Sequence, residues 1–180
     1  MIKINFENTY DPLRGEINKQ LSAMEFYSPQ QTGSLELIRV SKPHWDKLLP
    51  YVYNLAMGPL KPNGEIDDAV RLKHTNSNKV FSTAILFALA FLTEYRELTI
   101  GLDGSDDIRA TLYHSMFVAN KEHLNEYFVT INVDWYVKLL RNQDIERKSD
   151  GSPFFKPRPE EFDYTRSRHD LYRYYMFELK

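Results

Sequence analysis

The segment from Val80 to Tyr95 constrains this chain more than any other. It holds Val80, Phe81, Ala84, Ile85, Leu86, Phe87, Ala88, Leu89, Ala90, Phe91 and Leu92 with almost no polar interruption. The preceding Asn76-Ser77-Asn78-Lys79 reads as a helix start. A helix that is apolar nearly all round must be buried on most sides. At 1.5 Å per residue it spans about 24 Å. Its longest apolar run, Ala84 to Leu92, is nine residues, well short of the roughly 20 that a membrane span needs. The helix 80–95 is therefore the expected centre of a water-facing fold. Ala84 and Ala88, four residues apart, allow another element to approach closely.

The rest of the chain has to supply the cover. Ile2, Ile4 and Phe6 alternate with Lys3, Asn5 and Glu7, the period of a half-buried strand. Residues 8–23 are polar, with a turn at Pro12 and Gly15 and a short helix containing Ile17 and Leu21. A hairpin is expected over 24–40, turning at Pro29 to Gly33. Trp45, Leu48, Leu49, Val52 and Leu55 stand at helical spacing, so a helix kinked at Pro50, or two short helices, is expected over 43–57. Residues 58–75 read as a loop with a short strand at Ala69 to Leu72. Leu98 to Leu102 alternates as a strand. A second helix is expected over 106–120, carrying Ile108, Leu112, Met116 and Phe117, and continues through Lys121 to Tyr127. Tyr127 to Val133 is a strand, and Leu171 to Leu179 closes the chain as another. Between them, Gly151, Pro153, Pro157 and Pro159 predict a polar, loop-rich excursion at 141–168. Strands that flank helices without alternating regularly favour an α+β fold. The expectation is one domain over 1–180, an antiparallel or mixed sheet packed on the central helix and the second helix.

Composition narrows the function. The 180 residues are 42% hydrophobic and 27% charged, with a net charge of -2, which fits an ordinary globular chain and gives no basic signal for nucleic acid. There is no Cys, so disulfides, Cys-ligated zinc and a thiol nucleophile are excluded. The N-terminus lacks the basic-then-apolar pattern of a signal peptide and the C-terminus carries no lipidation motif, so a cytoplasmic location is expected. Twelve Tyr and eleven Phe suit a surface that meets another protein. A Tyr-rich sheet with no partner explains them equally well.

The best functional candidate is the strand–turn–helix unit at 99–112. Gly104 frees the turn, Ser105 can cap the helix, and Arg109 and Tyr113 follow at four-residue intervals on one stripe. Free N–H groups at the helix start with Arg109 above them could hold a phosphate. Asp103, Asp106 and Asp107 crowd the same turn and repel an anion. Gly104, Ser105, Arg109 and Tyr113 are thus candidate ligand contacts, while a well-capped helix with a paired Arg accounts for the same pattern. His114, beside Tyr113, could join Arg109 in acid–base chemistry.

Two acidic clusters, Glu65/Asp67/Asp68 and Asp103/Asp106/Asp107, lack calcium-loop spacing. The five His (His44, His74, His114, His123 and His169) form no zinc-protease motif. No metal and no cofactor are expected, and no motif decides whether the chain is an enzyme. In the tail, Lys156, Arg158, Arg166, Arg168 and Arg173 interleave with Phe154, Phe155, Tyr164, Tyr172 and Tyr174, a composition that can bind single strands. Nine basic residues against eight acidic over 141–180 argue against it.

Several segments in order carry a resemblance. Tyr53-Asn54-Leu55-Ala56, then Ile66-Asp67-Asp68, then the helix led by Lys79-Val80, then Gly104-Ser105 with Arg109, Leu112 and Tyr113 resemble an uncharacterised bacterial domain-of-unknown-function family over about residues 50–133. The chain departs from that pattern at Ala110 and in the long excursion at 141–168. The resemblance implies no activity; it does imply a toxin–antitoxin-like setting. Two functions follow as expectations. One is a protein-interaction module, one half of a two-protein system, with a protein partner or a second copy as its target. The other is an enzyme or binding protein for a phosphate-bearing ligand or RNA at the Gly104/Ser105/Arg109 turn.

Overall fold

The computed structural model describes residues 1–18, 22–41, 48–104, 106–167 and 169–180. The apolar segment forms an α-helix at Ser77–Glu94. Asn76 caps it, its side chain accepting the Lys79 N–H at 3.0 Å. Five strands precede this helix: β1 (Arg14–Ile17), β2 (Ser22–Pro29), β3 (Leu35–Ser41), β4 (Val52–Asn54) and β5 (Ala56–Gly58). With the helix as α1, the chain continues through β6 (Thr99–Asp103), α2 (Asp107–Ala119), α3 (Lys121–Tyr127), β7 (Phe128–Val137), β8 (Phe155–Glu161) and β9 (Tyr174–Leu179). The fold is α+β.

Where the periodicities call for one sheet, the structure has two. A four-stranded antiparallel sheet runs β1-β2-β3-β5, and a five-stranded mixed sheet runs β4-β6-β9-β7-β8. The α1 helix touches β1 and β2 of the first and β6 and β9 of the second. Cover from both directions is why a helix apolar on nearly every side is stable here. Phe87 is 4% exposed and Phe91 0%. Both belong to one core with Phe26, Ile38, Phe117, Phe128, Tyr175 and Phe177. Tyr175 is wholly buried, and its hydroxyl donates to the Ala110 carbonyl at 2.9 Å.

The two sheets are joined by one extended stretch. Val52–Asn54 runs parallel to β6, the Leu55 N–H donates to the Gly101 carbonyl at 2.8 Å, and Ala56–Gly58 pairs with β3. This corrects the helix expected over 43–57. The helical spacing of its apolar residues is real, but Pro50 is followed by Tyr51 at φ 68°, which ends any helix before Val52. Residues 42–47, with His44 and Trp45, lie outside the described residues.

Other expectations are corrected in similar ways. Residues 2–7 bury Ile2 and Ile4 and expose Lys3 and Asn5, as their alternation predicts, yet they form no strand. Side chains of the helical region replace a neighbouring strand. The Ile4 N–H donates to Asn120 Oδ1 at 2.8 Å, Asn120 Nδ2 donates to the Ile2 carbonyl at 2.9 Å, and the Asn5 N–H donates to Ser82 Oγ at 2.9 Å. A period of two reports which face is buried, not what bonds the backbone. The short helix around Ile17 is instead β1; Leu21 lies outside the described residues. Ala69 to Leu72 forms no strand; among the described residues no strand pairs with it.

The excursion at 141–168 is only partly loop. Tight turns at 139–145 and 147–153 close with Leu139–Ile145 and Arg147–Pro153 bridges. Gly151 sits at φ 83° in the second turn, a conformation that glycine adopts without strain. Phe155–Glu161 is then a seven-residue strand despite Pro157 and Pro159. Both prolines are tolerated because β8 is the edge of its sheet, paired on one side only, where a missing N–H need not break a ladder. The hairpin expected over 24–40 is present as β2 and β3.

Candidate binding groove

The sequence stripe begins where β6 gives way to α2. Asp106 caps α2, its Oδ1 accepting the Arg109 N–H at 2.8 Å. This bond and its attraction to Arg109 hold the Asp106 carboxyl below the usual range. The Gly104 N–H is also taken, donating to the Arg173 carbonyl at 2.9 Å. A Cβ at Gly104 would lie 3.2 Å from both Ala110 Cα and the Tyr175 ring, so glycine serves close packing at this position. Ser105 lies outside the described residues. The helix start therefore presents less open N–H capacity than an anion site requires.

Arg109 and Tyr113 do come together. They share a recess of about 60 Å³ walled by Leu55, Met57, Phe81, Ile85 and Leu102 and rimmed by Asp68 and Asp103. The recess adjoins a groove of about 450 Å³ that shares Met57, Asp68, Phe81, Arg109 and Tyr113 with it. The groove's remaining lining includes Ile38, Leu72 and Leu112, with Val70 and Ile108 exposed at its margin. Apolar side chains alternate in its lining with Asp68, Arg71, His74, Asp106 and Arg109, and its size is that of a small binding site.

Arg109 is neither free nor fully paired to an acid. Its Nη2 donates to the main-chain carbonyl of Asp68 at 2.6 Å, and its Nε lies 3.3 Å from Asp106 Oδ2. The guanidinium thus ties the 59–75 connector to α2. The Tyr113 ring packs edge-on against Tyr175 at 6.0 Å. Burial pushes its hydroxyl up to about 12; Arg109 opposes the shift, while Asp103, Asp106 and Asp68 add to it. It stays protonated at neutral pH and can donate or accept, but cannot serve as a base there. Among the described residues this hydroxyl makes no hydrogen bond.

The sequence reading missed His74, which lines the same groove. Its Nδ1 lies 2.8 Å from Ser28 Oγ and 3.0 Å from Gln30 Nε2. Burial lowers its pKa. Only the β2 hairpin brings Ser28 and His74 together, 46 positions apart in sequence. His114, in contrast, faces away from the groove and stacks on Phe162 at 5.4 Å. It is not placed to act with Arg109.

The two acidic clusters do converge, since Asp68, Asp103 and Asp106 all act on Tyr113. Among the described residues no three His, Asp or Glu side chains are grouped to hold a metal ion. The tail's cations have internal partners. Lys156 pairs with Glu146 at 2.6 Å, Arg158 with Asp134 at 3.1 Å and Arg173 with Asp107 at 2.7 Å. Arg166 meets Asp134 at 3.0 Å and Asp170 at 3.2 Å and lies 3.8 Å over the Tyr172 ring. Arg168 lies outside the described residues. Among the described residues no helix is long and apolar enough to cross a membrane.

A family model described as a family of unknown function (DUF6934) matches residues 7–147, well over half of the chain. The chain belongs to this family. The match encloses the 50–133 stretch on which the resemblance rests, and with it α1, α2, β5, Asp68, His74, Arg109 and Tyr113. Strands β8 and β9 lie beyond it, although β9 is bonded between β6 and β7. Comparison with curated proteins and with solved structures gives no match.

Proposed function

We propose that this DUF6934 chain is a protein-interaction module and that a segment of a partner protein docks in the groove beside α2. In this reading it forms one half of a two-protein system, as in toxin–antitoxin pairs. The observation that carries the proposal is the open groove of mixed apolar and charged lining that includes Tyr113, whose hydroxyl has no hydrogen-bond partner among the described residues. A trough that offers apolar patches between oriented polar groups is what a partner's side chains fill. The exposed Val70 and Ile108 extend apolar surface to the groove's margin.

A phosphate-bearing ligand at the Gly104 turn draws support only from the Arg109 guanidinium. The Gly104 and Arg109 N–H groups are already engaged, and three aspartates stand nearby.

The test is selection of random displayed peptides on the whole chain, repeated with Ile108→Trp. Ile108 is 57% exposed, so the indole obstructs the groove without disturbing the core. Selected peptides should bind the original chain and lose binding to Ile108→Trp. Peptides that bind both forms equally would place docking elsewhere and overturn the proposal.

A further inference from the structure

Resting on that docking reading, we propose that the partner segment enters the recess with a basic side chain, a lysine or an arginine, whose methylene stem lies between Met57, Phe81 and Leu102 and whose charged head meets Asp68. Three observations carry this. The recess is narrow and apolar along its walls, which suits an unbranched stem that keeps its charge at one end. Its rim is acidic: Asp68 and Asp103 against Arg109. Arg109 is already turned inward, held by the Asp68 carbonyl and the Asp106 carboxylate.

The Asp68 carboxylate differs from these neighbours. It forms no ion pair and accepts no hydrogen bond among the described residues, while its main chain is fixed by Arg109. A carboxylate held at the mouth of an apolar recess selects a cation. The Tyr113 hydroxyl, protonated and without a hydrogen bond, can accept an N–H from the same head. An acidic side chain in the recess would face Asp68, Asp103 and Asp106, three carboxylates against the two guanidinium groups of Arg109 and, in the adjoining groove, Arg71. A wholly apolar side chain would fill the walls and leave both Asp68 and Tyr113 without a partner.

The experiment uses the peptides selected on the full chain. Binding is read by fluorescence anisotropy for the original chain, Asp68→Asn and Ile108→Trp, with each peptide also made with norleucine in place of its basic residue. Asp68 is exposed and its carboxylate is unbonded, so Asp68→Asn leaves the fold intact. The expected result is a basic residue at one position of the selected peptides. Norleucine at that position and Asp68→Asn should each weaken binding about fivefold or more, and the two together should weaken it by no more than either alone. Binding should also weaken with added salt. Ile108-sensitive peptides with no basic position, or with an acidic one, would overturn the charge assignment while leaving groove docking in place. A basic position that is indifferent to Asp68→Asn would overturn it as well. If no peptide is sensitive to Ile108→Trp, the docking reading falls and this inference falls with it.

Discussion

Replacing Asn120 with Ala tests the substitution of side chains for a strand partner at the N-terminus. Asn120 is 6% exposed and joins three main-chain groups. Its Oδ1 accepts the Ile4 N–H at 2.8 Å, and its Nδ2 donates to the Ile2 carbonyl at 2.9 Å and the Met116 carbonyl at 2.6 Å. The Met116 carbonyl keeps the Asn120 N–H at 3.1 Å, so its loss matters least. The Ile4 N–H and Ile2 carbonyl are left unpaired, at about 1–3 kcal/mol each. The segment could escape that cost by peeling off, but Ile2 and Ile4 are 8% and 7% exposed, and uncovering each costs about 1.5–3 kcal/mol. The first route costs about 2–6 kcal/mol and the second about 3–6 kcal/mol, so the expected loss is at least about 2 kcal/mol. Urea unfolding followed by far-ultraviolet circular dichroism gives the magnitude, and amide hydrogen exchange at Ile4 and Asn5 separates the routes. A loss below about 0.5 kcal/mol, with the Ile4 amide still slow to exchange, would refute the reasoning.

Phe87→Ala removes a side chain enclosed between two sheets and should cost about 3–5 kcal/mol in the same urea assay; a loss under about 1 kcal/mol would mean the enclosure is loose. Gly58→Ala drives a Cβ into the Asp67 carbonyl, so the turn carrying Asp68 must shift; stability should fall by about 1–3 kcal/mol, and Ile108-sensitive peptides should bind more weakly. Burial lowers the pKa of both His74 and His114 below the ordinary 6.5. The unfolded chain then takes up protons first, so stability is full above that value and declines as pH falls through it. His114→Gln should flatten the decline between about pH 7 and pH 5, as read by urea midpoints. Pro157→Val with Pro159→Val restores N–H groups to the β8 edge, so self-association should rise with concentration in light scattering; a mass unchanged from that of the original chain would show that the prolines do not guard it.

The candidate site was half legible before folding. The four-residue stripe of Arg109 and Tyr113 on α2 places both on one side of a helix, and the structure opens that side onto the recess. Gly104 was legible as a special backbone position, but its cause is close packing by Ala110 of the following helix and by the Tyr175 ring, which belongs to the distant strand β9. Met57, Asp68 and His74 carry no local signature as site residues. They reach the groove only because the 52–58 stretch changes sheets and the 59–75 connector folds back to Arg109.

Local pattern by itself determined the two long helices, the hairpin of β2 and β3, the strands around Thr99 and Phe128, and the α+β class. Each of these is signalled by residues within a few positions of one another, where periodicity and capping act directly. The sequence also declared that α1 needs cover on nearly every side. Only tertiary structure decided that this cover comes as two sheets. The same is true of the N-terminal extension, whose hydrogen bonds come from Asn120 and Ser82, and of the edge strand built through Pro157 and Pro159. In each case the deciding interaction joins residues distant in sequence. A strand's partner, unlike a helix's, is chosen by the whole fold.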